Sequence, residues 1–76
     1  MEFYIEMGNT LPFSEFLKYS RRQALNVTDI QMNVNKYQDT GLTTAFLSIS
    51  GQKKMSHNDI LTILENAPGI HYIEEI

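Results

Sequence analysis

The spacing of apolar residues constrains this chain more than any motif in it. Phe3, Ile5 and Met7 alternate with Tyr4 and Glu6, a period of two that predicts a half-buried strand. Gly8-Asn9-Thr10 has turn chemistry. After it the period lengthens. Phe13, Phe16, Leu17, Ser20, Ala24 and Val27 follow the i, i+3, i+4, i+7 spacing of one helical face, with Lys18, Arg21 and Arg22 on the other. Pro12 suits the first turn, because its missing N–H would be unpaired there anyway. The predicted helix covers about residues 12–26, with Asn26 as its stop.

From Thr28 to Tyr37 the period returns to two. Ile30, Met32 and Val34 share one side; Asp29, Gln31, Asn33 and Asn35 share the wet side. Gln38-Asp39-Thr40-Gly41 reads as a hairpin connection into a third strand, Leu42 to Ser50, with Ala45, Leu47 and Ile49 on one face. Ser56-His57-Asn58-Asp59 resembles a capping box. Ile60, Ile63, Leu64 and Ala67 then form a second helical stripe, ended by Pro68-Gly69. Ile70 to Ile76 is the last strand.

Strands with one wet side must be covered on the other, so both helices belong on one sheet face. Right-handed crossovers for each βαβ unit leave a compact solution: an α+β, ferredoxin-like βαββαβ sandwich with antiparallel strand order 4-1-3-2. Residues 1–76 are read as one such domain. The helix-covered face would carry Phe3, Ile5, Met7, Ile30, Met32, Val34, Ala45, Leu47, Ile49 and Ile73. The open face would carry Tyr4, Glu6, Gln31, Asn33, Phe46, Ser48, Tyr72 and Glu74. Since strands 4, 1 and 3 are adjacent, Tyr72, Tyr4 and Phe46 are expected to form a transverse aromatic row, the candidate interaction face.

Chemistry is scarce. Absence of cysteine excludes disulfides, thiolate zinc sites and cysteine nucleophiles. His57 and His71 are the only histidines and stand apart in sequence, which is a poor start for a zinc site. Glu74 and Glu75 are adjacent in a strand and so point to opposite faces. The segment Gly8-Asn9-Thr10-Leu11-Pro12 holds neither an arginine for an anion cradle nor a Cys-x-x-Cys pair. The expectation is a chain that is not an enzyme and takes no cofactor. A net charge of −3 and the acids Glu6 and Glu74 on the open face weigh against nucleic acid. Gly41-Leu42-Thr43-Thr44-Ala45-Phe46 also lacks the basic, aromatic-rich strand signature of RNA-recognition domains. A protein contact through the aromatic row stands level with the plain reading that single exposed aromatics need no explanation, and self-association would use a sheet edge or helix packing.

The segments Ala24-Leu25-Asn26-Val27-Thr28-Asp29-Ile30, Ile60-Leu61-Thr62-Ile63-Leu64 and Ala67-Pro68-Gly69-Ile70-His71-Tyr72-Ile73 resemble an ACT or ACT-like domain. In more detail they are similar to the C-terminal domain of the MgtC/SapB family of membrane proteins. Shared features are a Val-x-x-Ile strand entry and a closing Pro-Gly-Ile-x-x-Ile. The resemblance implies a regulatory or interaction domain on the cytoplasmic side of the membrane, linked to magnesium homeostasis. It also implies that any membrane attachment lies in a further N-terminal region. Two alternatives remain: an amino-acid-sensing ACT module and an RRM-like RNA-binding module. Amino-acid-binding ACT domains resemble one another in a glycine-bearing turn entering the first helix. Here that place reads Thr10-Leu11-Pro12-Phe13-Ser14, which favours an ACT-like domain without an amino-acid effector.

Overall fold

In the computed structural model, which describes residues 1–8, 13–33 and 42–76, six elements follow one another. They are β1 (Glu2–Gly8), α1 (Phe13–Arg22), β2 (Asn26–Asn33), β3 (Leu42–Ser50), α2 (His57–Glu65) and β4 (Ile70–Glu75). The sheet order is β2-β3-β1-β4, with every neighbouring pair antiparallel. This is the ferredoxin-like arrangement expected from the sequence, and 4-1-3-2 is the same order read from the other edge. Pro12, Val34, the Gln38–Gly41 hairpin and the strand residues predicted up to Tyr37 lie outside the described residues.

Period two in β1 and β3 builds the core. Phe3, Ile5 and Met7 are buried, and across the ladder Leu47 faces Phe3 and Ala45 faces Ile5. Phe16 and Ser20 of α1 and Ile60 and Leu64 of α2 close the same side. Burying a side chain such as Phe3 or Ile5 contributes about 1.5–3 kcal/mol. The two helices are tied by the Tyr19 hydroxyl, which donates to the Ile63 carbonyl at 2.8 Å. Among the described residues no helix is long and apolar enough to cross a membrane.

α2 starts where the capping box places it. The Asp59 amide donates to Ser56 Oγ at 3.1 Å, and the Ser56 amide donates to Asp59 Oδ2 at 2.9 Å. Two of the helix's free amides are satisfied by this exchange. Beyond α2, Gly69 takes φ 81°, a left-handed conformation that glycine adopts without steric cost. Its carbonyl then accepts from the Gly8 amide at 3.1 Å, which starts the β1–β4 pairing.

α1 ends four residues before the predicted stop. The Leu25 amide donates to the Ser20 carbonyl at 2.9 Å and the Ala24 amide to the Arg21 carbonyl at 3.0 Å. These bonds make a Schellman motif with Ala24 in the left-handed position, φ 62°. Ala24 therefore terminates the helix instead of extending its stripe. Val27 belongs to β2, opposite Ile49.

β2 keeps the predicted faces, with Asp29 and Gln31 on the open side and Ile30 and Met32 on the other, but its pairing with β3 is irregular. Thr28 pairs with Ser48, but the next pair is Gln31 with Phe46, so three steps on β2 match two on β3. Asp29, at φ 53°, and Ile30 form this bulge. Ile30 shares a groove with Leu17 of α1 and with Leu25, on the predicted side, yet it is 39% exposed and only partly covered. Met32 keeps the helix-side register opposite Ala45 but is 46% exposed, because β2 is an edge strand with β3 as its one partner.

Candidate functional site: the open sheet face

β1, β3 and β4 bring three aromatic rings together on the face away from the helices. Tyr4 is central. Phe46, directly opposite it on β3, meets it edge-on with centroids 5.2 Å apart and planes at 79°. Tyr72 meets it from β4 at 6.2 Å and 69°. Such edge-to-face pairs place the positive rim of one ring against the negative face of the other. The row named from the sequence is thus formed as a physical contact. Phe46 and Tyr72 remain 44% and 47% exposed.

Carboxylates interleave with the rings. In the β1–β4 ladder Tyr4 lies opposite Glu74 and Glu6 lies opposite Tyr72. The Tyr72 hydroxyl donates to Glu74 Oε2 at 3.0 Å. That bond to the neutral phenol, then the Glu74 charge, raise the Tyr72 pKa above the ordinary tyrosine value. The Tyr4 pKa is raised too, first by desolvation and then by Glu6 and Glu74.

Tyr72 reaches this face through a second bulge. Tyr72 pairs with Glu6 and Ile70 with Met7, which leaves His71 as the extra residue. Strict alternation would put Ile70 and Tyr72 on one side. The bulge lets Ile70 pack on the core while Tyr72 faces out. The His71 ring lies over Gly8, its Nε2 2.8 Å from where a Cβ would stand.

Residues that sequence reasoning left off this face extend it at one end. Glu2 pairs with Ser48, the Ile76 amide donates to the Glu2 carbonyl at 2.9 Å, and Thr28 also pairs with Ser48. Glu2 was legible by carrying the β1 alternation one step back; Thr28 was hidden by the bulge. Beside Phe46 the end of the face sinks into a depression of about 360 Å³, lined among others by Glu2, Asp29, Gln31 and Ile76. The side chain of Asn33, predicted here, lies outside the described features.

The remaining candidates do not converge. Glu75 faces the helix side, where its Oε1 lies 2.7 Å from His57 Nε2, while Glu74 is on the open side. Lys18 pairs with Glu15 at 3.4 Å on α1, and Arg21 and Arg22 are exposed in its last turn. Among the described residues no three His, Cys, Asp or Glu side chains group so as to hold a metal ion. No family model, no curated protein and no solved structure matches this chain.

Proposed function

We propose that this chain is a non-catalytic interaction module that contacts a partner protein through its open sheet face. One observation carries the reading: the exposed row Phe46–Tyr4–Tyr72, pre-packed edge-to-face and ringed by carboxylates. Aromatic side chains give contact area at low entropic cost, and holding each other in place lowers that cost further. The MgtC/SapB-like reading is kept within this proposal. It makes the chain a soluble regulatory part, on the cytoplasmic side, of a membrane protein linked to magnesium homeostasis, and it is supported by the residues that carry the resemblance, Val27 to Ile30 and Pro68 to Ile73. Apolar spans of roughly 20 residues encoded upstream in the gene would support that part.

The contact is tested by photo-crosslinking in the producing cell, with a benzophenone amino acid at Phe46 and, as a control, at Arg22 on α1. A discrete adduct from position 46 that disappears with Tyr4→Ala is the expected result. The same adduct from position 22, or none from position 46, would overturn the reading.

A further inference from the structure

β1, β2, β3 and β4 contain no lysine or arginine. The described basic residues are on α1 and in the turn at 53–54. Net charge understates this segregation. Glu2, Glu6 and Glu74 share the open face, and Asp29 lines its depression beside Phe46. Rings and carboxylates mixed at strand spacing suit one ligand chemistry above others. A guanidinium stacks on an aromatic face while its N–H fork engages a carboxylate, and its planar shape and weak hydration make it better suited than an ammonium.

We propose that the open face docks an extended, arginine-bearing segment of a partner protein. This rests on the reading of the face as a contact surface and adds the chemistry of what it touches. The row crosses three strands, about 10 Å at the usual strand spacing. Alternate side chains of an extended segment lie about 7 Å apart. One guanidinium would enter the depression by Phe46, Glu2 and Asp29, and another would meet Tyr72 with Glu6 and Glu74. The same charges exclude two rival occupants. A second copy seated face to face would bring the same acidic patch, Glu2, Glu6 and Glu74, against itself, and like charges across an interface oppose pairing. A nucleic-acid backbone would meet the same repulsion. Desolvation at Tyr4 and the hydrogen bond to Glu74 at Tyr72 raise the two pKa values most, and the charges of Glu6 and Glu74 add to both.

The test is an NMR titration of the whole chain with three capped peptides in which glycine alternates with arginine, with citrulline or with glutamate, and with a single-stranded RNA. Citrulline keeps the shape of arginine and removes its charge. The arginine peptide should shift amides of Glu6, Gln31, Phe46 and Tyr72, bind at least about 10-fold more weakly to the Glu6→Gln, Glu74→Gln double variant, and weaken as salt screens the charges. Both replacements are exposed or half-exposed and near-isosteric, so the variant's unliganded spectrum reports an intact fold. Equal shifts with citrulline, shifts with RNA in place of peptide, or no shift at millimolar arginine peptide would each overturn this proposal. If position 46 still gave its crosslink in the cell, the contact reading would survive such a failure; loss of the crosslink sinks both.

Discussion

His57, in the first turn of α2, sets its Nε2 2.7 Å from Glu75 Oε1 near the end of β4. This pair joins the start of one element to the finish of another and is an ion pair only while the imidazole is protonated. Both partners are solvent-accessible, so the pair is screened and loses side-chain entropy on forming. Glu75→Gln is expected to lower stability by no more than about 1 kcal/mol, and less in high salt. Urea unfolding followed by circular dichroism at two salt concentrations checks this. A loss of several kcal/mol would mean that the pair holds β4 in place.

Ala24 is a sharper case. An L-residue in the left-handed region pays roughly 1–2 kcal/mol because its Cβ crowds the following carbonyl. Glycine pays no such steric cost but loses more backbone freedom on folding. The Schellman bonds to Ser20 and Arg21 fix the conformation whichever residue stands there. Ala24→Gly should therefore raise stability by about 0.5–1 kcal/mol, with an unchanged urea m-value. An unfolding midpoint that falls would show that position 24 is not left-handed in solution.

These two positions also show what the sequence makes legible. The β1 pattern, the capping box of α2 and the Pro68-Gly69 exit were readable because each is a local rule with one structural outcome. Glu74 and Glu75 diverge as strand geometry requires, one to Tyr72 and one to His57. The end of α1 was not readable, because Ala24 is the best of helix formers and occupies a cap usually held by glycine. The bulges at Asp29–Ile30 and His71 were hidden for another reason. Ile30, Met32 and Val34 fit period two without a break, and an inserted residue is set by the partner strand's register, which a single strand's sequence does not carry. The aromatic row was legible all the same, because the extra residues are on β2 and, in β4, before Tyr72, so the alternation of β1, of β3 and of β4 from Tyr72 onward is unbroken.

Ser20 is fully buried, and among the described residues its Oγ has no hydrogen-bond partner. A desolvated, unpaired hydroxyl costs about 1–3 kcal/mol. Removing it leaves a void of one oxygen atom, which is small beside that cost. Ser20→Ala is expected to stabilise by about 1 kcal/mol, helped by the better helix propensity of alanine. The thermal midpoint measures this. A destabilised Ser20→Ala chain would reveal that the hydroxyl has a partner in solution.

The tyrosines supply the pH dependence. In the folded chain Tyr4 and Tyr72 have pKa values above the ordinary 10.0, Tyr4 through desolvation first and Tyr72 through its bond to Glu74 first. Between the unfolded and the folded value, the folded state holds more protons than the unfolded one. Stability must then fall as pH rises. Below the unfolded value the contribution is present in full; it is lost as pH climbs through the folded values. Denaturant midpoints should therefore decline from about pH 10 upward. Ultraviolet titration of the phenols should show Tyr4 and Tyr72 ionising late. Glu74→Gln removes the charge that comes next after the hydrogen bond at Tyr72 and also acts on Tyr4, so it should move the late phase toward the ordinary value. Tyr72→Phe should delete one late phenol and leave Tyr4 high, because desolvation is the larger cause there. If Glu74→Gln leaves both phenols where they were, the carboxylate does not lie against the row, and the placing of a guanidinium between Glu74 and Tyr72 loses its ground.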